Sequence, residues 1–136
     1  MKTLLLLGSI IMLGFIQSSF AMSSDITLTA PVTVDTFGQQ ISNYHVGSQI
    51  GVQSILTNHG KSEQKYAYAV QVLDKNGATD FLEFSSASML PNQSFTASQV
   101  WIPKNTGQYT VQVFVWDSLA SAIPLTNVLN MHIIVN

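Results

Sequence analysis

From Ile26 onward the chain is a series of short runs in which apolar residues recur at every second position. In "GQYTVQVFVW", Gly107–Trp116, Tyr109, Val111, Val113 and Val115 fall on one side. Thr110, Gln112, Phe114 and Trp116 fall on the other. A period of two is the spacing of a strand with one buried face, whereas a helix buries positions three and four apart. The same alternation runs through Ile26, Leu28, Ala30, Val32 and Val34, through Ile50, Val52 and Leu56, and through Tyr66, Tyr68, Val70 and Val72. Shorter strands are expected over Thr79 to Ser85, Ser94 to Trp101 and about Val128 to Val135.

Turn chemistry separates these runs. Asn76-Gly77 favours a tight hairpin because glycine accepts positive φ. "LPNQS" at 90–94 and "PKNTG" at 103–107 supply two further turns. About seven strands at short intervals, with no helical pattern between them, describe an all-β chain folded as an antiparallel β-sandwich. Pro31 cannot donate to a ladder, so the first run belongs on an edge or at a bulge.

The first residues stand outside this pattern. Lys2 is followed by an apolar run from Leu4 to Ile16, then by small residues at Ser19 and Ala21. That order is the layout of a secretory leader, and cleavage is expected after Ala21. The run is shorter than the roughly 20 residues that span a bilayer. Residues 1–21 are therefore read as a cleaved signal peptide and 22–136 as a single exported domain, secreted or on the cell surface, with no membrane segment after cleavage. The chain has no Cys. Unlike many small exported domains it must hold by packing and hydrogen bonds without disulfides.

Charge narrows the partners. There is no Arg, and Lys61, Lys65, Lys75 and Lys104 are scattered. Nucleic-acid binders neutralise phosphates with a clustered basic face, so no nucleic acid is expected.

Two local patterns go beyond generic strands. One is "LTNHG", Leu56 to Gly60, followed by "YAYAVQVLDKNG". The other is "WIPKNTGQYTVQVFVW", Trp101 to Trp116. Together they resemble the immunoglobulin-like modules of secreted archaeal and bacterial surface proteins, of the CARDB or cell-adhesion-related type, most of all the exported archaeal versions. The resemblance covers roughly Val46 to Val135. It implies an immunoglobulin-like sandwich used for adhesion, spacing or assembly. It also implies that Tyr109 forms a corner, its hydroxyl bonded to backbone of the preceding turn. The connection "WDSLASAIPLTN" departs from the family by being richer in apolar residues.

Candidate chemistry is sparse. His45 and His59 lie near opposite ends of the second strand, and His132 is in phase with Asn130, facing solvent. Three surface histidines are expected, with no shared metal. Blue copper needs a thiolate, and there is none. Asp74, Asp80 and Glu83 surround the Asn76-Gly77 turn as solvated turn acids, without a calcium-loop pattern. No Gly-x-Ser-x-Gly elbow or Ser/His/Asp trio is evident. No enzyme, metal or cofactor is expected. "NQS" makes Asn92 a candidate N-glycosylation site in an exposed turn.

The best reading is an exported, non-enzymatic module for cell-surface adhesion, protein binding or extracellular scaffolding, its partner a protein, a cell surface or a second copy. An alternative is a subunit of an extracellular filament or pilus-like polymer. There the run Ile26, Leu28, Ala30, Val32, Val34 would act as a donor strand for a neighbour, with "DTFGQQISN" as a linker. A secreted hydrolase is the third reading. Phe114 and Trp116, on the polar side of their strand, together with Trp101, form the candidate interface. Alternatively Phe114 and Trp116 are covered within the chain by the "SLASAIPL" connection or by Trp101.

Overall fold

The computed structural model describes residues 25–136, so the expected leader and the start at Met22 lie outside the described residues. Eight strands form two antiparallel sheets. They are β1 Ile26–Leu28, β2 Val32–Val34, β3 Ile50–Asn58, β4 Gln64–Asp74, β5 Thr79–Met89, β6 Ser94–Trp101, β7 Gly107–Trp116 and β8 Leu129–Val135. The second sheet runs in the order β5-β4-β7-β8. In the first, β6 pairs along nearly all of one side of β3. That leaves the other side of β3 to β1 and β2.

The core is what the alternation specifies. Ile50, Val52 and Leu56 of β3 meet Tyr68, Val70 and Val72 of β4 and Val111, Val113 and Val115 of β7, all fully buried. Tyr66 and Tyr109 close its ends. The Asn-Gly turn forms, with Gly77 alone taking a positive φ of 78°. Asp74 and Ala78 close the loop through Asp74 N–H to Ala78 O at 2.9 Å. The result is a three-residue hairpin loop with its glycine in the left-handed region.

The first run departs from expectation. Ile26 is buried and Leu28 packs on the core, but Ala30 is exposed. Leu28 opposes Leu56, whereas Val32 opposes Gln53. Three residues, 29–31, thus face only two on β3. The extra residue flips the phase. Beyond Pro31 it is Thr33 that opposes inward-facing Val52, while Val32 and Val34 lie on the outer side with Gln53 and Gly51. The freed backbone is satisfied at Thr29, whose N–H donates to Ile55 O and whose hydroxyl accepts Ile55 N–H. Ile26, Leu28, Ala30, Val32 and Val34 are therefore not one apolar face, and the segment closes the chain's own sheet.

"DTFGQQISN" is a folded return and not a linker. The Asp35 carboxylate accepts the N–H groups of Phe37 and Gln39, and Ile41 N–H donates to Thr33 O. Thr33 Oγ1 shares a 2.8 Å hydrogen bond with the Tyr44 hydroxyl. The fifth strand runs four residues further than expected, to Met89 rather than Ser85. Ser86 and Ala87 are exposed on both faces, so no alternation leads on to Met89, which is buried at the strand's end.

Candidate functional site

The outward face of the β5-β4-β7-β8 sheet carries the aromatic pair singled out in the sequence. Opposed residues of antiparallel strands share a face. Ala67 opposes Trp116 and Ala69 opposes Phe114. On the other flank Ala69 opposes Phe84, and Gln71 opposes Leu82. A row Phe84–Ala69–Phe114 thus crosses three strands, with Trp116 beside it. The alanines are buried under the rings, at 1% and 3% exposure. Small residues on the middle strand let the large neighbours lean across it. The Phe114 and Trp116 ring centroids lie 5.0 Å apart, tilted by 41°, a favourable aromatic separation.

Phe114 and Trp116 are half-buried, while Leu82 and Phe84 are 51% and 50% exposed. Part of the cover is local. Trp116 bridges Pro124 of the β7–β8 connection, and Leu125 N–H donates to Val115 O at 2.8 Å. Asp117 pins that connection. Its carboxylate accepts the Ser121 hydroxyl and the N–H groups of Ser118 and Ile123. The Ser121 bond leads in holding its carboxyl below the ordinary range, with these N–H groups assisting against a smaller opposing effect of burial. The "SLASAIPL" segment therefore shields one edge of Trp116 and leaves the rest of the face open. Towards β8 the face turns polar, through Gln71, Gln112, Asn130 and His132.

Trp101 does not belong to this surface. It is 2% exposed and lies in the core between the sheets. Its ring meets Tyr109 edge-on at 4.9 Å, and its indole N–H donates to Asp80 at 2.9 Å. It is neither an interface residue nor the cover of Phe114 and Trp116. The physical reason is its register: Trp101 opposes Ile50, an inward-facing position of β3. Tyr109 makes the expected corner, donating its hydroxyl to Asn105 O at 2.8 Å. Burial, followed by the charges of Asp80 and Asp74, raises its pKa.

Of the turn acids, Asp74 and Asp80 are engaged in structure, and Glu83 is exposed on β5. Asp74 accepts the N–H groups of Asn76 and Ala78. Asp80 sits where the β4–β5 register shifts, and a bulge re-aims a side chain. Here it turns the carboxylate toward Trp101. His59 shares a hydrogen bond with Thr27 and exposed His132 with Thr110. His45 and His59 are separated by all of β3. Among the described residues no three His, Asp or Glu side chains converge. Asn92 is exposed at the turn between β5 and β6, with φ of 63°. Its sequon partner Ser94 hydrogen-bonds Thr57.

Sequence reading missed Asn58, the "N" of "LTNHG". It is 1% exposed. Its amide donates to Ser62 O and Met89 O, and its Oδ1 accepts Gly60 N–H. It therefore ties the end of β3 to the end of β5 in the facing sheet. A buried Asn in a strand-end Asn-x-Gly was the available signal.

No family model matches the sequence, and no curated protein sequence matches it. Solved structures share its fold. The CARDB domain of a Pyrococcus furiosus protein, solved in complex with di-metal ions, superposes with a TM-score of 0.59 at 17% identity, over 83% of this chain and 89% of that domain. A β-glucuronidase of glycoside hydrolase family 2 gives 0.62 at 11% identity, over 79% of this chain. The Pseudomonas fluorescens alkylpurine DNA glycosylase AlkC, bound to DNA containing an abasic-site analogue, gives 0.59 at 10% identity, over 85% of this chain. The chain spans only 12% and 31% of those two enzymes. The likeness is one of fold: a CARDB-like, immunoglobulin-like β-sandwich. Among the described residues no helix is long and apolar enough to cross a membrane.

Proposed function

We propose that the chain is an exported, non-enzymatic immunoglobulin-like module that binds a protein or cell-surface partner through the outward face of its four-stranded sheet. The observation that carries this reading is the half-open pair Phe114–Trp116 seated on Ala67 and Ala69, bordered by exposed Phe84 and Leu82. Aromatic anchors ringed by polar residues are the pattern of a binding hot spot. Export rests on the basic, apolar and small-residue order of residues 1–21. The fold alone confers no activity. Asp74 and Asp80 near the turns serve the fold, which favours a binding module over a hydrolase. Strand exchange is the weaker route to assembly, because the first run already pairs with β3 of its own chain.

The test is co-sedimentation of the purified protein with cell envelopes of the producing organism. Wild type is expected to sediment, and Trp116→Ser to remain in the supernatant with its fold intact by circular dichroism. Equal sedimentation of both proteins contradicts the reading.

A further inference from the structure

Among the described residues, β5 presents the longest uncovered sheet edge. Within them β5 pairs only with β4 and ends its sheet. It offers eleven residues, about twice an ordinary strand. Unpaired edges template pairing with another chain, and proteins blunt them with Pro, Lys, bulges or covering segments. The edges at the first run and at β8 show such devices. The first run is cut into three-residue pieces at Pro31 and is further covered by Gln40 and Ile41. At the end of β8, Tyr44 bridges Val135, and Tyr44 O accepts Asn136 N–H. β6, the remaining edge, has none of them but is three residues shorter than β5, and its outward row is mostly Ser94, Thr96 and Ser98 where β5 sets out Leu82 and Phe84. β5 has no Pro and no Lys; its register shift lies at its first residues, and its one mid-strand charge, Glu83, opposes Val70 on the inner side but stays exposed to solvent.

The edge is also held firm. Asp80 bonds Trp101 near the start of β5, and Met89 O accepts the Asn58 amide at its end. Both tethers reach the facing sheet. Between them, Leu82 through Ala87 are exposed whichever way they point. The facing sheet does not cover this stretch, so the strand is fixed at both ends and overhangs in the middle.

We propose that the β5 edge joins two copies of the chain, pairing antiparallel about Phe84. A two-fold axis perpendicular to a sheet reverses strand direction and keeps each face. Opposed residues must then be an even number of positions apart. Phe84 is the midpoint of Thr79–Met89, so this register uses the whole strand. It sets Phe84 against Phe84, Leu82 against Ser86, Glu83 against Ser85 and Phe81 against Ala87. No charge opposes its like. A register centred on Glu83 would place two carboxylates opposite each other, and one centred on Leu82 would set Phe84 against Asp80; both are less favourable cross-strand pairs. Eleven residues extend over about 37 Å. With a sheet layer about 10 Å thick and flanking side chains, the pair buries on the order of 1,000 Å² in total, the lower end for a specific interface. The product is a continuous eight-stranded sheet whose central Phe84 pair links the two Phe114–Trp116 patches. The edge is separate from that face: its backbone makes the joint, and Trp116 takes no part in it.

The test uses the chain's lack of Cys. In Phe84→Cys the new thiol is the only one, and opposed Cα atoms at about 4.5–5.5 Å are within disulfide reach. With oxidised glutathione as oxidant, Phe84→Cys is expected to form a covalent dimer. Ile134→Cys, at an exposed position on β8, is expected to stay monomeric. In parallel, hydrogen exchange on the wild type should show protection of 79–89 rising with protein concentration, and no such change in 129–135. Cross-linking of both variants alike, or no concentration dependence at 79–89, overturns the proposal. So does sedimentation as a monomer up to about millimolar concentration, even if envelope binding through Trp116 persists. Dimers lost in Trp116→Ser while Phe84→Cys fails to cross-link would place self-association on the face and also overturn the edge joint.

Discussion

The Trp101 indole N–H donates to the Asp80 carboxylate at 2.9 Å, across the gap between the two sheets. With Trp101 edge-on to Tyr109 and the Tyr109 hydroxyl on Asn105 O, one chain of contacts links β5, β6 and the turn into β7. Trp101→Phe keeps an aromatic ring, removes the donor and leaves part of the indole's buried volume empty. It is expected to cost about 2–4 kcal/mol in urea unfolding, from the lost hydrogen bond to a charged group together with the cavity. Asp80→Ala should cost about 1–3 kcal/mol, the scale of the hydrogen bond alone, and add little to Trp101→Phe in the double variant. Full additivity would mean the bond does not couple the sheets.

Asn58 carries the second tether. Asn58→Ala leaves the Met89 and Ser62 carbonyls and the Gly60 N–H without the partner they have now. A loss of about 2–4 kcal/mol is expected from one or more buried groups left unpaired. A midpoint in urea shifted by less than the measurement error would remove Asn58 from the account.

Gly51 tests the outer side of the first sheet. A Cβ there would stand 2.7 Å from Val34 Cγ2, and Val34 is buried against it. Gly51→Ala should destabilise by about 1–3 kcal/mol through overpacking. Gly51→Ala in a Val34→Ala background should cost clearly less, because the clashing methyl is gone.

Tyr68 sets the alkaline limit. Burial pushes its hydroxyl up to about 12, against the opposing pull of the Ser54 hydroxyl. The folded pKa exceeds the unfolded value of about 10. The contribution is therefore complete below pH 10 and is lost as pH rises toward 12. Stability measured by urea midpoints should fall across that window. Tyr68→Phe should flatten the fall. An unchanged pH profile in Tyr68→Phe would contradict this assignment.

The legible part of the fold is the part with regular alternation. Val70, Val72, Val111, Val113 and Val115 sit in the core because a pleated strand sends alternate side chains to one side. Phe114 and Trp116 face outward for the same reason. The burial of Tyr109 was legible in its spacing, and its corner hydrogen bond through a family resemblance. What was hidden lies at irregularities. Pro31 marked the edge and the bulge of the first run, but not that its one extra residue inverts the phase beyond it, and the register shift opposite Leu73 aims Asp80 at Trp101. Neither changes composition, so neither leaves a mark in a period-two pattern. The tail of β5 was invisible because Ser85, Ser86 and Ala87 are exposed on both sides, and without a buried face there is no alternation to read.

The central claim is that Trp116 lies on a contact surface, and its own fluorescence tests it most directly. The chain has two tryptophans, one in the core and one half-buried on the outer face. In Trp101→Phe, emission comes from Trp116 alone. Acrylamide should quench it in the free protein and quench it much less when cell envelopes of the producing organism are bound. Quenching of Trp116 that is identical in the free and the envelope-bound protein would contradict the account.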